Sequence, residues 1–170
     1  IEAGHNNCPG PVAVIAAALS VTDPRERPDG KEARAEQSRA LFVDHDSDFI
    51  TLYNIFRACT QNTNDTKPIV RAGELKKFCN THFLSFKRMR EWLDVYDQMT
   101  DLLEESGLGI EKQETDQERA GRKNGKGFGK EKKNDFSDLY QAVHKSVVSG
   151  FLSNIARRKE KNIYLAAKQR

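Results

Sequence analysis

Between Ser85 and Glu105, Met89, Trp92, Leu93, Tyr96, Met99 and Leu103 recur at three- and four-residue intervals, with charged residues almost everywhere else. That spacing places one apolar stripe along a helix of about five turns, a face that must be buried against something. Ser85 stands where the helix begins and Gly107 supplies its stop. Shorter segments have the same period. Ser47 is a good N-cap, Asp48 complements the helix dipole, and Phe49, Leu52, Tyr53 and Phe56 then form one face. A last helix starts near Asp135 and runs to about residue 159. Phe136, Leu139, Tyr140, Val143, Val147, Phe151 and Ile155 lie along one side of it. The fold class is therefore all-α, a helical bundle, and no alternating apolar run occurs before Asn162.

The remaining elements follow from local chemistry. Pro9 and Pro11 open an alanine-rich helix through Leu19, proline being tolerated in a first turn. The segment Asp23-Pro24-Arg25-Glu26-Arg27-Pro28 cannot be regular, because prolines remove donors and restrict their predecessors. Glu32–Val43 reads as a polar helix, Gln61–Lys67 as a loop, and a short helix follows around Ala72–Asn80. Residues 111–134 have almost nothing to bury and read as a basic, low-complexity linker. Asn162–Lys168 looks like a strand, and a lone strand is not stable. Residues 160–170 are accordingly read as the opening of a β domain whose other strands lie elsewhere. The domains expected are thus 1–110, the linker, a final helix over 135–159, and this tail.

Composition narrows the chemistry. No apolar run approaches the ~20 residues of a membrane helix. Cys8, Cys59 and Cys79 are odd in number and widely spaced, which suits a reducing cytoplasm better than a disulfide framework or a zinc site. The histidines His5, His45, His82 and His144 show no metal-binding spacing, so no metal site is expected. A phosphate loop needs GxxxxGK followed by Ser or Thr, but Gly121-Arg-Lys-Asn-Gly125-Lys126 is one residue short and Gly127 follows. Gly125-Lys-Gly127-Phe-Gly129 is not a dinucleotide fingerprint either. No catalytic residue and no cofactor are assigned within these residues.

Cations, by contrast, are clustered: Arg119, Arg122, Lys123, Lys126, Lys130, Lys132 and Lys133 in the linker, and Arg157, Arg158, Lys159, Lys161, Lys168 and Arg170 at the end. Such runs grip phosphate backbones or merely solvate a surface.

Two motifs are more specific. Ala16-Ala-Ala-Leu-Ser20 is followed by Asp23-Pro-Arg-Glu-Arg-Pro28, and Phe83-Leu84 by Arg88-Met-Arg90-Glu91-Trp92 and Asp94. Ser47-Asp48-Phe49 stands between them, and Leu75-Lys-Lys-Phe-Cys79 and Gly150-Phe-Leu-Ser-Asn-Ile155 complete the order. Together they resemble the helicase-associated region of bacterial HrpA-type DEAH-box RNA helicases, over most of the chain except residues 111–134. Ser85 stands where that family has asparagine, Leu93 where it has glutamine, and Arg39 where a histidine often precedes the Ser-Asp-Phe triplet. The resemblance implies a ratchet-like helical bundle followed by an OB-fold. It implies a parent that hydrolyses nucleoside triphosphate with Mg²⁺ and moves on RNA, its two motor domains lying upstream. It also implies a role for this region as one wall of the RNA channel.

That role requires a rigid bundle presenting cations to single-stranded RNA or another nucleic acid. The candidates are Lys87, Arg88 and Arg90 at the head of the longest helix, and Arg25 and Arg27 between the prolines. The competing reading has these residues salt-bridged to Glu26, Glu91 or Asp94, or docked on the motor domains. Trp92, Tyr96, Phe49 and Phe56 are expected in the core. A protein-interaction module without direct RNA contact is the alternative function.

Overall fold

A computed structural model of the chain describes residues 2–60, 71–107, 131–151 and 156–166. The elements are α1 (Glu2–His5), α2 (Pro9–Ser20), α3 (Glu32–Arg39), a 3-10 turn (Ala40–Phe42), α4 (Asp48–Thr60), α5 (Ala72–His82), α6 (Phe86–Glu105), α7 (Glu131–Gly150), β1 (Ala156–Glu160) and β2 (Ile163–Ala166). Two compact units result, one made of residues 1–12 and 115–170, the other of residues 13–114. Among the described residues the regular elements are helical apart from the C-terminal strands, as periodicity predicts.

In the larger unit the apolar stripe of α6 is the organising face. Trp92 and Met89 are wholly buried, as are Ile15 of α2 and Ile50 and Ile55 of α4. The Phe56 ring lies 5.4 Å from the Trp92 ring and 4.7 Å from that of Tyr96, within the range of favourable tilted aromatic pairs. The indole Nε1–H donates to the Val14 carbonyl at 3.0 Å, so the one polar atom of Trp92 is satisfied inside the core. Ala13, Ala17 and Ala18 are buried on α2. Phe56 and Tyr96 are buried with Trp92, whereas Phe49 is half-buried.

Local signals explain the helix ends. Ser47 Oγ accepts from Ile50 N–H at 3.2 Å, an N-cap bond to the third helical residue of α4. Gly107 adopts φ 70°, the left-handed conformation that ends α6. The α5 helix ends differently, with Phe83 at φ 52° and ψ 52°. A bulky residue is strained there, so the conformation persists only because its surroundings over-determine it.

Those surroundings are a joint between α3, the proline-flanked strap and the α5–α6 turn. Arg25 and Leu84 form an isolated antiparallel bridge, closed by Glu26 N–H to Phe83 O at 2.9 Å and Ser85 N–H to Pro24 O at 2.8 Å. Arg39, at the end of α3, is only 6% exposed. Its Nη1 donates to Glu26 O at 2.9 Å and Phe83 O at 2.8 Å, with a longer contact to His82 O at 3.4 Å. Beside it, His82 Nδ1 lies 2.9 Å from Ser38 O, and the Phe42, Phe78 and His82 rings pack together. The expected Glu32–Val43 helix is therefore shorter, turning to 3-10 at Ala40 where Phe42 enters this ring cluster.

In the smaller unit α1 packs on α7. Asn6 Nδ2 donates to Ser146 Oγ at 3.0 Å, and buried Cys8 lies 3.5 Å from the same hydroxyl. Val143 and Val147 are buried. Three expectations are corrected here. The last helix starts at Glu131, inside the expected linker, because Glu131, Lys132 and Lys133 are good helix formers. It stops at Gly150 rather than near residue 159. The strand in the tail has its partner within the chain: β1, Ala156–Glu160, pairs antiparallel with β2, and an irregularity falls between Arg158 and Glu160. The rest of the linker, the Gln61–Lys67 loop and Ile155 lie outside the described residues, and so does the side chain of Phe136.

Two stability outcomes follow. Trp92→Ala, by leaving a large cavity, should cost ~3–5 kcal/mol in urea denaturation followed by circular dichroism; a loss under ~1 kcal/mol would contradict its place at the centre of the core. Arg39→Met keeps an unbranched, flexible stem but removes the guanidinium and its donors to two main-chain carbonyls. It should cost about 2–4 kcal/mol, given charge-assisted bonds at a buried site, with Arg39→Lys intermediate; a Met variant as stable as the parent protein would show that the joint does not depend on the guanidinium.

Candidate nucleic-acid interface

The candidate cations cluster around the joint just described, and the structure divides them. Arg25 is engaged from two sides. Its Nη1 and Nη2 reach Asp48 Oδ1 and Oδ2 at 2.5 and 3.0 Å, and its Nε and Nη2 reach Asp23 at 2.6–3.0 Å. Asp48 is also the first residue of α4, so one carboxylate serves both a helix N-terminus and the strap. Hydrogen bonding to Asp48, then to Asp23, raises the Arg25 pKa above its ordinary value. Burial opposes ionisation of Asp23, but the Arg25 hydrogen bonds and charge outweigh it and hold that carboxyl below the usual range. Arg88 is half-buried, and its Nη1 donates to Asp23 O at 2.9 Å. Both arginines thus tie the strap to α4 and α6; Arg25 is ion-paired, but to Asp23 and Asp48 rather than to the Glu26, Glu91 or Asp94 considered from the sequence.

Lys87, Arg90 and Arg27 are placed otherwise. All three are exposed, and among the described residues none makes an ion pair. At ~100° per residue, Lys87 points almost directly away from the Met89–Trp92–Tyr96 stripe. Arg90 and Arg88 fall on opposite flanks of it. Arg27 follows the strap residue that bonds to Phe83. Glu91 and Asp94, four residues on from Lys87 and Arg90, are in position to pair with them, yet neither pair forms.

The charge order on α6 runs against its dipole. The first turn holds no acid and the last no base. Lys87 and Arg88 stand at the positive end, Glu104 and Glu105 at the negative end. By contrast α3, α4 and α5 each begin with an acid, Glu32, Asp48 and Glu74, and end with a base. Each misplaced surface charge costs roughly 0.3–1 kcal/mol at low ionic strength. Helix stability therefore does not account for cations at the head of α6.

Arg39 was not among the residues singled out from the sequence. Burial, then the neighbouring charges of Arg25 and Arg27, lower its pKa. Its position beside Ala40-Leu41-Phe42, an apolar turn, was the available signal. Burial pushes the Cys59 thiol up to about 12 and Cys79 to about 11, so neither is an activated nucleophile. Among the described residues no group of His, Cys, Asp and Glu side chains is placed to hold a metal ion. No helix among them is long and apolar enough to cross a membrane.

Comparison with known proteins connects this arrangement to helicases. Residues 1–52 match the model of the helicase-associated domain (HA2), ratchet-like. The chain is 27% identical over 169 residues to an ATP-dependent RNA helicase HrpA homolog of Haemophilus influenzae, which covers 99% of this chain and 11% of that protein. It is 24% identical over 158 residues to the ATP-dependent RNA helicase HrpA of Escherichia coli, 93% of this chain and 10% of that protein. A probable ATP-dependent RNA helicase of Mus musculus is 32% identical over 98 residues, 58% of this chain and 8% of that protein. The chain therefore spans about a tenth of the length of these relatives. The chain is thus similar along nearly its whole length to HrpA helicases, and its first 52 residues match the ratchet-like helicase-associated domain (HA2).

Proposed function

We propose that this region forms part of the wall of an RNA channel in an ATP-dependent DEAH-box RNA helicase and packs on that helicase's motor domains. ATP and Mg²⁺ belong to those domains, and the residues here contribute a rigid cationic surface. The observation that carries the reading is the pair Lys87 and Arg90 at the head of α6, both exposed and without an ion pair among the described residues, Lys87 standing in the first turn against a cost in helix energy. Arg27 extends the same surface from the strap. Arg25 and Arg88 act beneath it, fixing the strap through Asp23 and Asp48.

Such a surface suits a motor that advances along any sequence, because phosphate contacts position a strand without reading bases. The region need not bind tightly; it must keep a moving strand close while the motor changes its grip. Rigidity is the useful property, and it comes from the Trp92 core and the Arg39 joint.

The experiment is a salt titration of fluorescent oligo(U) binding to the full chain and to Lys87→Ala/Arg90→Ala. Folding should be unchanged or slightly improved, since exposed charges contribute less than ~1 kcal/mol and Lys87 opposes the dipole. Affinity should fall on the order of tenfold at low salt, and the slope of log K against log salt should flatten by about 0.7 per phosphate contact, roughly 1.4 for the pair. Unchanged affinity and slope, together with salt-insensitive capture of the motor domains, would instead support a protein-interaction module.

A further inference from the structure

Resting on the RNA-contact reading above, we infer that the strand crosses the N-terminal end of α6 and is kept from running along that helix by the helix's own carboxylates. Beyond Arg90 the outward side of α6 has no base. Glu91, Asp94, Asp101, Glu104 and Glu105 are all exposed there. The helical repeat puts Glu91 within ~40° of Lys87, and Asp94 and Asp101 within ~40° of Arg90, so acids and cations share one face.

Distances make the segregation effective. Arg90 and Asp94 are ~6 Å apart along the axis, and Arg90 and Glu105 ~22 Å apart. The screening length at physiological salt is about 8 Å, so a phosphate seated on Arg90 lies within reach of the first carboxylates. A strand laid along the helix would place several phosphates over that acidic stretch. A strand crossing the head of α6 meets Lys87, Arg90 and Arg27 and leaves the field of the acids. The absence of Lys87–Glu91 and Arg90–Asp94 pairs fits this division, since pairing would neutralise both halves. The acids set the direction of passage and limit the contact to a few nucleotides.

The test compares oligo(U) of 6, 9, 12 and 18 nucleotides on the full chain and three double variants. Asp94→Asn/Glu105→Gln should bind 18-mers about threefold more tightly at low salt, with the gain lost at high salt. Asp94→Lys/Glu105→Lys should bind 18-mers on the order of tenfold more tightly and 6-mers nearly as before, with a salt slope steeper by about 1.4. Glu36→Lys/Glu74→Lys makes the same charge change on α3 and α5 and should give a much smaller gain. If the α6 lysine pair leaves length dependence and slope unchanged while Lys87→Ala/Arg90→Ala still weakens binding, the steering idea fails and the contact reading stands. If Lys87→Ala/Arg90→Ala has no effect, the contact reading itself falls. An equal gain from the α3–α5 pair would reduce the effect to net charge and overturn the inference.

Discussion

One buried guanidinium organises the joint between α3, the strap and the α5–α6 turn. Arg39 is buried, with hydrogen bonds to main-chain carbonyls rather than to a carboxylate. Burying an arginine is expensive unless its donors are paired, and here Nη1 donates to carbonyls of two segments that are joined by the isolated Arg25–Leu84 bridge. Glu26 belongs to the strap and Phe83 to the left-handed end of α5. Because both carbonyls must be present together, Arg39 fixes the strap relative to α6 as well as holding each in shape. The strain at Phe83 is maintained by the same contacts, its carbonyl also accepting from Glu26.

Much of this architecture was legible in the amino-acid order. The period of Met89, Trp92 and Tyr96 locates α6 and its buried face, because a long stripe leaves no competing interpretation. Ser47 and Gly107 mark helix ends through local hydrogen bonding and backbone freedom, which do not depend on distant partners. What escaped was decided by tertiary pairing. Ala156-Arg-Arg-Lys-Glu160 has no strand propensity, and only its alignment with Ile163–Ala166 makes it β1. Arg39 falls inside the helix expected over Glu32–Val43, and its sequence neighbours do not show that two carbonyls from elsewhere converge on it.

The candidate surface was half legible for a related reason. Motif resemblance directs attention to Arg25, Arg27, Lys87, Arg88 and Arg90 as a set, but a list of cations does not separate those that hold the frame from those that face outward. The division depends on where Asp23 and Asp48 lie. Asp23 is two residues from Arg25 in sequence, whereas Asp48 reaches it from the start of α4. Once both carboxylates are placed, Arg25 becomes part of the scaffold, and Arg88 follows through its bond to the Asp23 carbonyl.

This division also explains how a short, irregular strap could serve the surface proposed above, which must not yield. An exposed cation meeting a phosphate exerts force on its own backbone, and a loop held only by its ends would give way. Arg27 is exempt from that weakness because the residue before it is gripped by Phe83 and Arg39, and the residue two before it by Asp23 and Asp48. Lys87 and Arg90 gain the same firmness from α6, whose opposite face is anchored by Trp92 and its bond to Val14. Apolar packing therefore supplies the stiffness of one half of the surface and a buried polar network that of the other. The two meet at Leu84 and Ser85, where the bridge to Arg25 ends and α6 begins.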